Sequence, residues 1–130
     1  MRRRLGALPA IGLLVALGSG CGHAVRDAAD VRVELNFESA PPVMGNVPVT
    51  VKLVEEDGSP VAGADVKLEG NMNHAGMKPS FASLQEEQPG SYVGSLEFTM
   101  RGDWFVLVSA TLPDGRRLQR TIDVPGVQSR

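Results

Sequence analysis

From Val31 to Val124 the chain never runs far without a Gly, Pro or Asp, and between these interruptions apolar residues return at every second position. That alternation is the period of a strand with one buried face; a helix would need apolar residues at every third or fourth position. Val31-Arg32-Val33-Glu34-Leu35-Asn36-Phe37-Glu38 alternates strictly. Val47, Val49, Val51 and Leu53 repeat the pattern with Lys52 on the opposite face, and Ala64, Val66 and Leu68 repeat it again. Asp57-Gly58-Ser59-Pro60, Gln88-Pro89-Gly90-Ser91, Arg101-Gly102-Asp103 and Pro113-Asp114-Gly115 carry turn chemistry between the runs.

Further along, Tyr92 to Thr99 predicts a strand, and Ser80 to Gln85 a weaker one that packs Phe81 and Leu84. Glu55-Glu56-Asp57 and Glu86-Glu87 read as solvated turn charges. Trp104 to Ala110 is the most apolar stretch and predicts a central strand covered on both faces. Leu118 to Val124 closes the series, with Leu118, Arg120 and Ile122 on one face. Roughly seven short strands at about 8–12-residue spacing predict an all-β, immunoglobulin-like sandwich over residues 31–125, a small barrel being the alternative. Residues 126–130 read as a C-terminal tail. Trp104, Tyr92, Phe37, Phe81, Phe98 and Phe105 are the heavy core candidates.

The first thirty residues have a different character. Met1-Arg2-Arg3-Arg4 is cationic, Leu5 to Leu17 is apolar, and Gly18-Ser19-Gly20 leads into Cys21, the one cysteine of the chain. A positive start, a short apolar run and a small-residue site define a secretory signal over residues 1–20, too short for a membrane span. A single cysteine has no intrachain disulfide partner. Small residues ahead of a cysteine at the end of a signal resemble the lipobox of bacterial lipoproteins, with Gly18 standing where that pattern usually has Leu. The resemblance implies lipidation at Cys21, a tether over residues 21–30, and an extracytoplasmic domain held on the membrane by its acyl chains. Gly22 is not acidic, which leans the anchor toward the outer membrane.

Without Arg2, Arg3 and Arg4 the thirteen Lys and Arg fall to ten, against fifteen Asp and Glu. An acidic domain of that balance is not a nucleic-acid binder. Catalysis finds little support either. Of the two histidines, His23 sits in the tether, and there is no Gly-rich phosphate loop, Gly-x-Ser-x-Gly elbow or His-Glu-x-x-His helix. The expectation is a protein that is not an enzyme.

One segment carries chemistry: Asn71-Met72-Asn73-His74-Ala75-Gly76-Met77-Lys78-Pro79. Met72 and Met77 bring two soft thioethers within a few residues of the His74 imidazole, a donor set that suits Cu(I). Zinc would usually take Cys, His or carboxylate ligands at tetrahedral spacing, which this segment lacks. Met100, just before the Arg101-Gly102-Asp103 turn, offers a third sulfur, and Met44 is a weaker candidate. Methionine is also a common gap-filler, so the same residues could simply cap one end of a sandwich.

Several stretches together resemble the YtkA-like domain, related to the FixH-like proteins. They are Pro42-Val43-Met44-Gly45-Asn46; Asp57-Gly58-Ser59-Pro60-Val61-Ala62-Gly63-Ala64-Asp65-Val66; the Met72–Met77 loop; Pro89-Gly90-Ser91-Tyr92; and Phe98-Thr99-Met100-Arg101-Gly102-Asp103-Trp104. The resemblance implies an immunoglobulin-like fold and copper handling outside the cytoplasm; a copper donor or recipient protein is the partner expected of a chain that holds or hands over the ion. Asn71 and Asn73 replace part of the Met-Pro-Gly-Met-like form common in that group.

Overall fold

The computed structural model describes residues 26–130. Cys21, His23 and the signal sequence lie outside them. Eight strands form, with no helix among the described residues: β1 (Arg32–Phe37), β2 (Gly45–Val54), β3 (Asp65–Asn71), β4 (Ser80–Ser83), β5 (Gln85–Gln88), β6 (Ser91–Phe98), β7 (Gly102–Thr111) and β8 (Arg117–Val127). They pair antiparallel in two four-stranded sheets, β1-β2-β6-β5 and β4-β3-β7-β8. This order is that of the immunoglobulin sandwich, whose A-B-E-D sheet faces C-F-G, here with one extra strand beside C.

The alternating residues meet between the sheets. Val47, Val49, Val51 and Leu53 of β2 and Tyr92, Leu96 and Phe98 of β6 face Val66 and Leu68 of β3 and Trp104, Val106 and Val108 of β7, all buried. Phe98 stands edge-on between Phe37 and Trp104, at ring-centroid distances of 5.3 and 5.1 Å. Burying a side chain of this size contributes about 1.5–3 kcal/mol.

The eighth strand appears because the expected Ser80–Gln85 segment divides between the sheets. β4 pairs with β3, β5 pairs with β6, and the chain crosses at Leu84. Gly94 lies at an inward position of β6; a Cβ there would stand 2.6 Å from Leu84 Cδ2, so the missing side chain makes room for Leu84 as the plug of the crossing. With Leu84 inward, the period of two turns Phe81 outward, and it is 71% exposed rather than packed in the core. The expectation for β7 also needs correction. It is central in its sheet, yet only its inner face is buried; Phe105 and Leu107 sit half-buried on the outer face.

Contacts extend past the expected limits of the domain at both ends. Asp27 pairs in parallel with Arg117 of β8, and Ala28 is fully buried. β8 continues to Val127, and Gln128 pairs in parallel with Val43.

Candidate functional site

β3 ends at Asn71, and the loop leads through Gly76, whose φ of 78° is one that residues with a Cβ rarely adopt. The turn closes where Met77 N donates to the His74 carbonyl at 3.4 Å. Met72 and Met77 are both half-buried and pack against the core. His74 is exposed, and its Nδ1 lies 3.0 Å from the Ala75 carbonyl oxygen. A carbonyl only accepts, so Nδ1 is the donor in this contact, which leaves Nε2 unengaged by it. A ring fixed through one nitrogen in this way is the common arrangement for metal-ligating histidines.

The strand-end methionine is held by different means. Trp104 is buried in β7, and its Nε1 donates to the Met100 carbonyl at 2.9 Å, closing the turn between β6 and β7. Gly102, the first residue of β7, has φ 120°, and a Cβ there would stand 3.1 Å from the terminal methyl of Met72. The bare backbone of Gly102 is thus the surface on which the Met72 side chain lies. Met100 and Met77 line one shared depression, together with Phe81, Lys78 and Thr99. The Met-x-Gly-x-Trp stretch and the Met/His loop therefore form one corner of the molecule: Trp104 fixes the Met100 backbone, and Gly102 admits Met72.

Met44 belongs to the same end. It precedes β2, whose Gly45 is opposite Phe98, and it lines a neighbouring depression that shares Glu97 and Thr99 with the first. Its amide donates to the Gln128 carbonyl at 2.8 Å. All four methionines among the described residues, Met44, Met72, Met77 and Met100, thus lie at one pole of the sandwich. Sequence reasoning ranked Met44 low because only strand pairing shows that the start of β2 and the end of β6 are neighbours.

Met77 and Met100 share a depression that Met72 and His74 do not line. No group of three or more His, Cys, Asp or Glu side chains placed to hold a metal occurs among the described residues. Nor is the charge one-sided: Lys78 and Arg101 stand exposed near Glu97 and Asp103, and Asp103 Oδ1 accepts from Gly126 N at 2.9 Å.

The Pro60–Ala64 and Gly90–Tyr92 stretches do structural work at the opposite pole. The buried Tyr92 hydroxyl donates to the Val61 carbonyl at 2.7 Å and accepts from Ala64 N at 2.9 Å. Glu86 is not a free turn charge, because its Oε2 accepts from Gly63 N at 3.0 Å and Gly90 N at 3.3 Å. The Gly63 amide is the main reason that its carboxyl is held below the ordinary glutamate range. At Gly90 a Cβ would stand 2.6 Å from Pro60 Cβ, so glycine is needed for this close approach. Pro60-Val61-Ala62-Gly63-Ala64 and Gly90-Ser91-Tyr92 are thereby two halves of one joint.

These features define a class: an immunoglobulin-like sandwich with a methionine-lined pole. A YtkA-like family profile matches residues 25–109, and the chain belongs to that family. None of the curated proteins matches the sequence. Among solved structures, a hypothetical protein from Pyrococcus horikoshii OT3 is similar at 10% identity and a TM-score of 0.48, over 77% of this chain and 95% of that one. Murine CRIg is similar at 13% identity and a TM-score of 0.41, over 76% of this chain and 98% of its own.

Proposed function

We propose that the protein is a lipid-anchored, extracytoplasmic carrier that holds or hands over Cu(I) and catalyses no reaction of its own. Met72, Met77 and Met100 supply thioether sulfur, and His74 supplies imidazole Nε2. The observation that carries this reading is the corner built from Gly102, Trp104 and the loop, in which Met72 rests on Gly102 and Met100 is fixed by Trp104. Neutral, weakly held ligands favour exchange with a donor or recipient protein by stepwise replacement of one sulfur by another. The signal-like start and Cys21 support export and anchoring, with the outer membrane favoured.

A competition titration under anaerobic conditions, with Cu(I) and a chromophoric chelator, tests the assignment. The parent should take up one ion per chain, and Met72→Leu/Met77→Leu should hold it at least about tenfold more weakly with the fold intact. A double variant that competes as well as the parent would remove these ligands from the account. A second reading, a non-catalytic envelope interaction module, is favoured by one observation: Phe81 stands 71% exposed at the methionine pole. Failure of the parent to compete for Cu(I) would leave that module as the reading.

A further inference from the structure

The described N-terminal segment is stapled to the pole opposite the methionines. Arg117 N donates to the Arg26 carbonyl at 3.0 Å, and Ala28 N donates to the Arg117 carbonyl at 2.9 Å. The Arg120 guanidinium donates to the carbonyls of Ala28 and Ala29 at 3.1 and 3.3 Å. Arg26 reaches the Asp114 carbonyl at 3.3 Å, and Arg116 lies 3.5 Å from Asp30. Every one of these contacts gathers near the β7–β8 hairpin, where Thr111 pairs with Arg117. The other end of β7 is Gly102, under Met72. Ten extended residues place the two poles about 30 Å apart.

Direction follows from the pairing. Asp27 runs parallel to β8, and β8 runs from the hairpin toward the methionine pole. Arg26, the first described residue, thus lies at the hairpin end, the pole away from the methionines. Four residues lie between Cys21 and Arg26, so the reach from one to the other is at most about 18 Å.

We infer that the stapled Arg26–Val31 segment gives the anchored domain a fixed polarity, methionine pole outward, so that metal is exchanged with a protein arriving from the aqueous side rather than with one embedded in the bilayer. The inference rests on the proposed anchor at Cys21. Two features agree with it. The acidic balance of residues 21–130 gives the domain no attraction to anionic lipid that would lay it on its side. Phe81, the most exposed large apolar residue among those described, stands at the outward pole beside Met77 and Met100, where a protein partner would meet it.

The full lipidated chain, in phosphatidylethanolamine–phosphatidylglycerol vesicles carrying a nitroxide-headgroup lipid, tests this. With Cys21 acylated, Glu56→Cys at the hairpin pole and Thr99→Cys at the methionine pole each offer a single thiol for a fluorophore. The label at position 56 should be quenched several-fold more than the label at position 99. Equal quenching, or stronger quenching at position 99, would overturn the inference and leave the anchor intact. Flotation separates the two claims: the parent should float with vesicles and Cys21→Ser should not. A parent that does not float overturns the anchor and the polarity together.

Discussion

The indole of Trp104 and the backbone of Met100 are joined by a 2.9 Å hydrogen bond that closes the β6–β7 turn. The same indole stands 5.1 Å from the Phe98 ring, edge-on, so one residue ties the core to the strand-end methionine. Trp104→Phe keeps an aromatic ring in the core and removes the donor. It should cost about 1 kcal/mol or somewhat more, since a smaller ring also fills less space. Urea denaturation checks this, and Cu(I) affinity should fall with it because Met100 loses its restraint.

Gly102 tests the loop side of the corner. Gly102→Ala puts a methyl 3.1 Å from the Met72 terminus at a φ of 120°. The strained backbone alone should destabilise by about 1–3 kcal/mol. Met72 must also move, so Cu(I) competition should weaken more than in a variant of matched stability elsewhere, such as Leu53→Val.

Tyr92→Phe probes the joint at the other pole. The Val61 carbonyl loses its partner in a buried place, and the Ala64 amide in a part-buried one. An expected loss of about 1–3 kcal/mol follows from leaving such groups unsatisfied. Cu(I) affinity should be unchanged in the folded fraction, because the methionines lie at the far pole.

Acid should unfold the protein partly through three carboxyls. Glu86 is held low by the Gly63 amide, Asp57 by the Ser59 hydroxyl, and Asp114 by the Arg116 amide. A carboxyl whose folded pKa is depressed stabilises above its unfolded value, about 4, and that contribution disappears as pH falls through the folded value. Thermal midpoints should therefore be level near neutrality and drop below about pH 4. Glu86→Gln should shallow that decline, and an unchanged acid limb would show that the Gly63 and Gly90 contacts carry no linkage.

Phe81→Ser should leave stability within about 0.5 kcal/mol, as expected for a surface position, in contrast with any change at Phe98. Thermal denaturation of the two variants side by side distinguishes the exposed ring from the buried one.

Much of this architecture is legible in the alternation itself. Val47 to Leu53 and Leu118 to Val124 bury the faces that their periods select. The division of β4 from β5 is not, because Leu84 turns inward into space left by Gly94, ten residues away in sequence and on another strand. Phe81 illustrates the same limit: hydrophobicity predicts burial, but its parity relative to Leu84 decides the face. Local patterning likewise misses Glu86, whose partners Gly63 and Gly90 lie on two different turns. At the candidate site, the Met72–Met77 loop is visible in one short stretch. The placement of Met100 and Met44 beside it depends on strand order, and the role of Gly102 depends on a contact with Met72 thirty positions earlier.

Copper K-edge X-ray absorption of the Cu(I)-loaded protein tests the central claim most directly. The expected first shell is dominated by sulfur, with a smaller imidazole contribution that disappears in His74→Ala, and sulfur scattering is lost in Met72→Leu/Met77→Leu. A first shell of nitrogen and oxygen alone, unchanged in the double methionine variant, would contradict it.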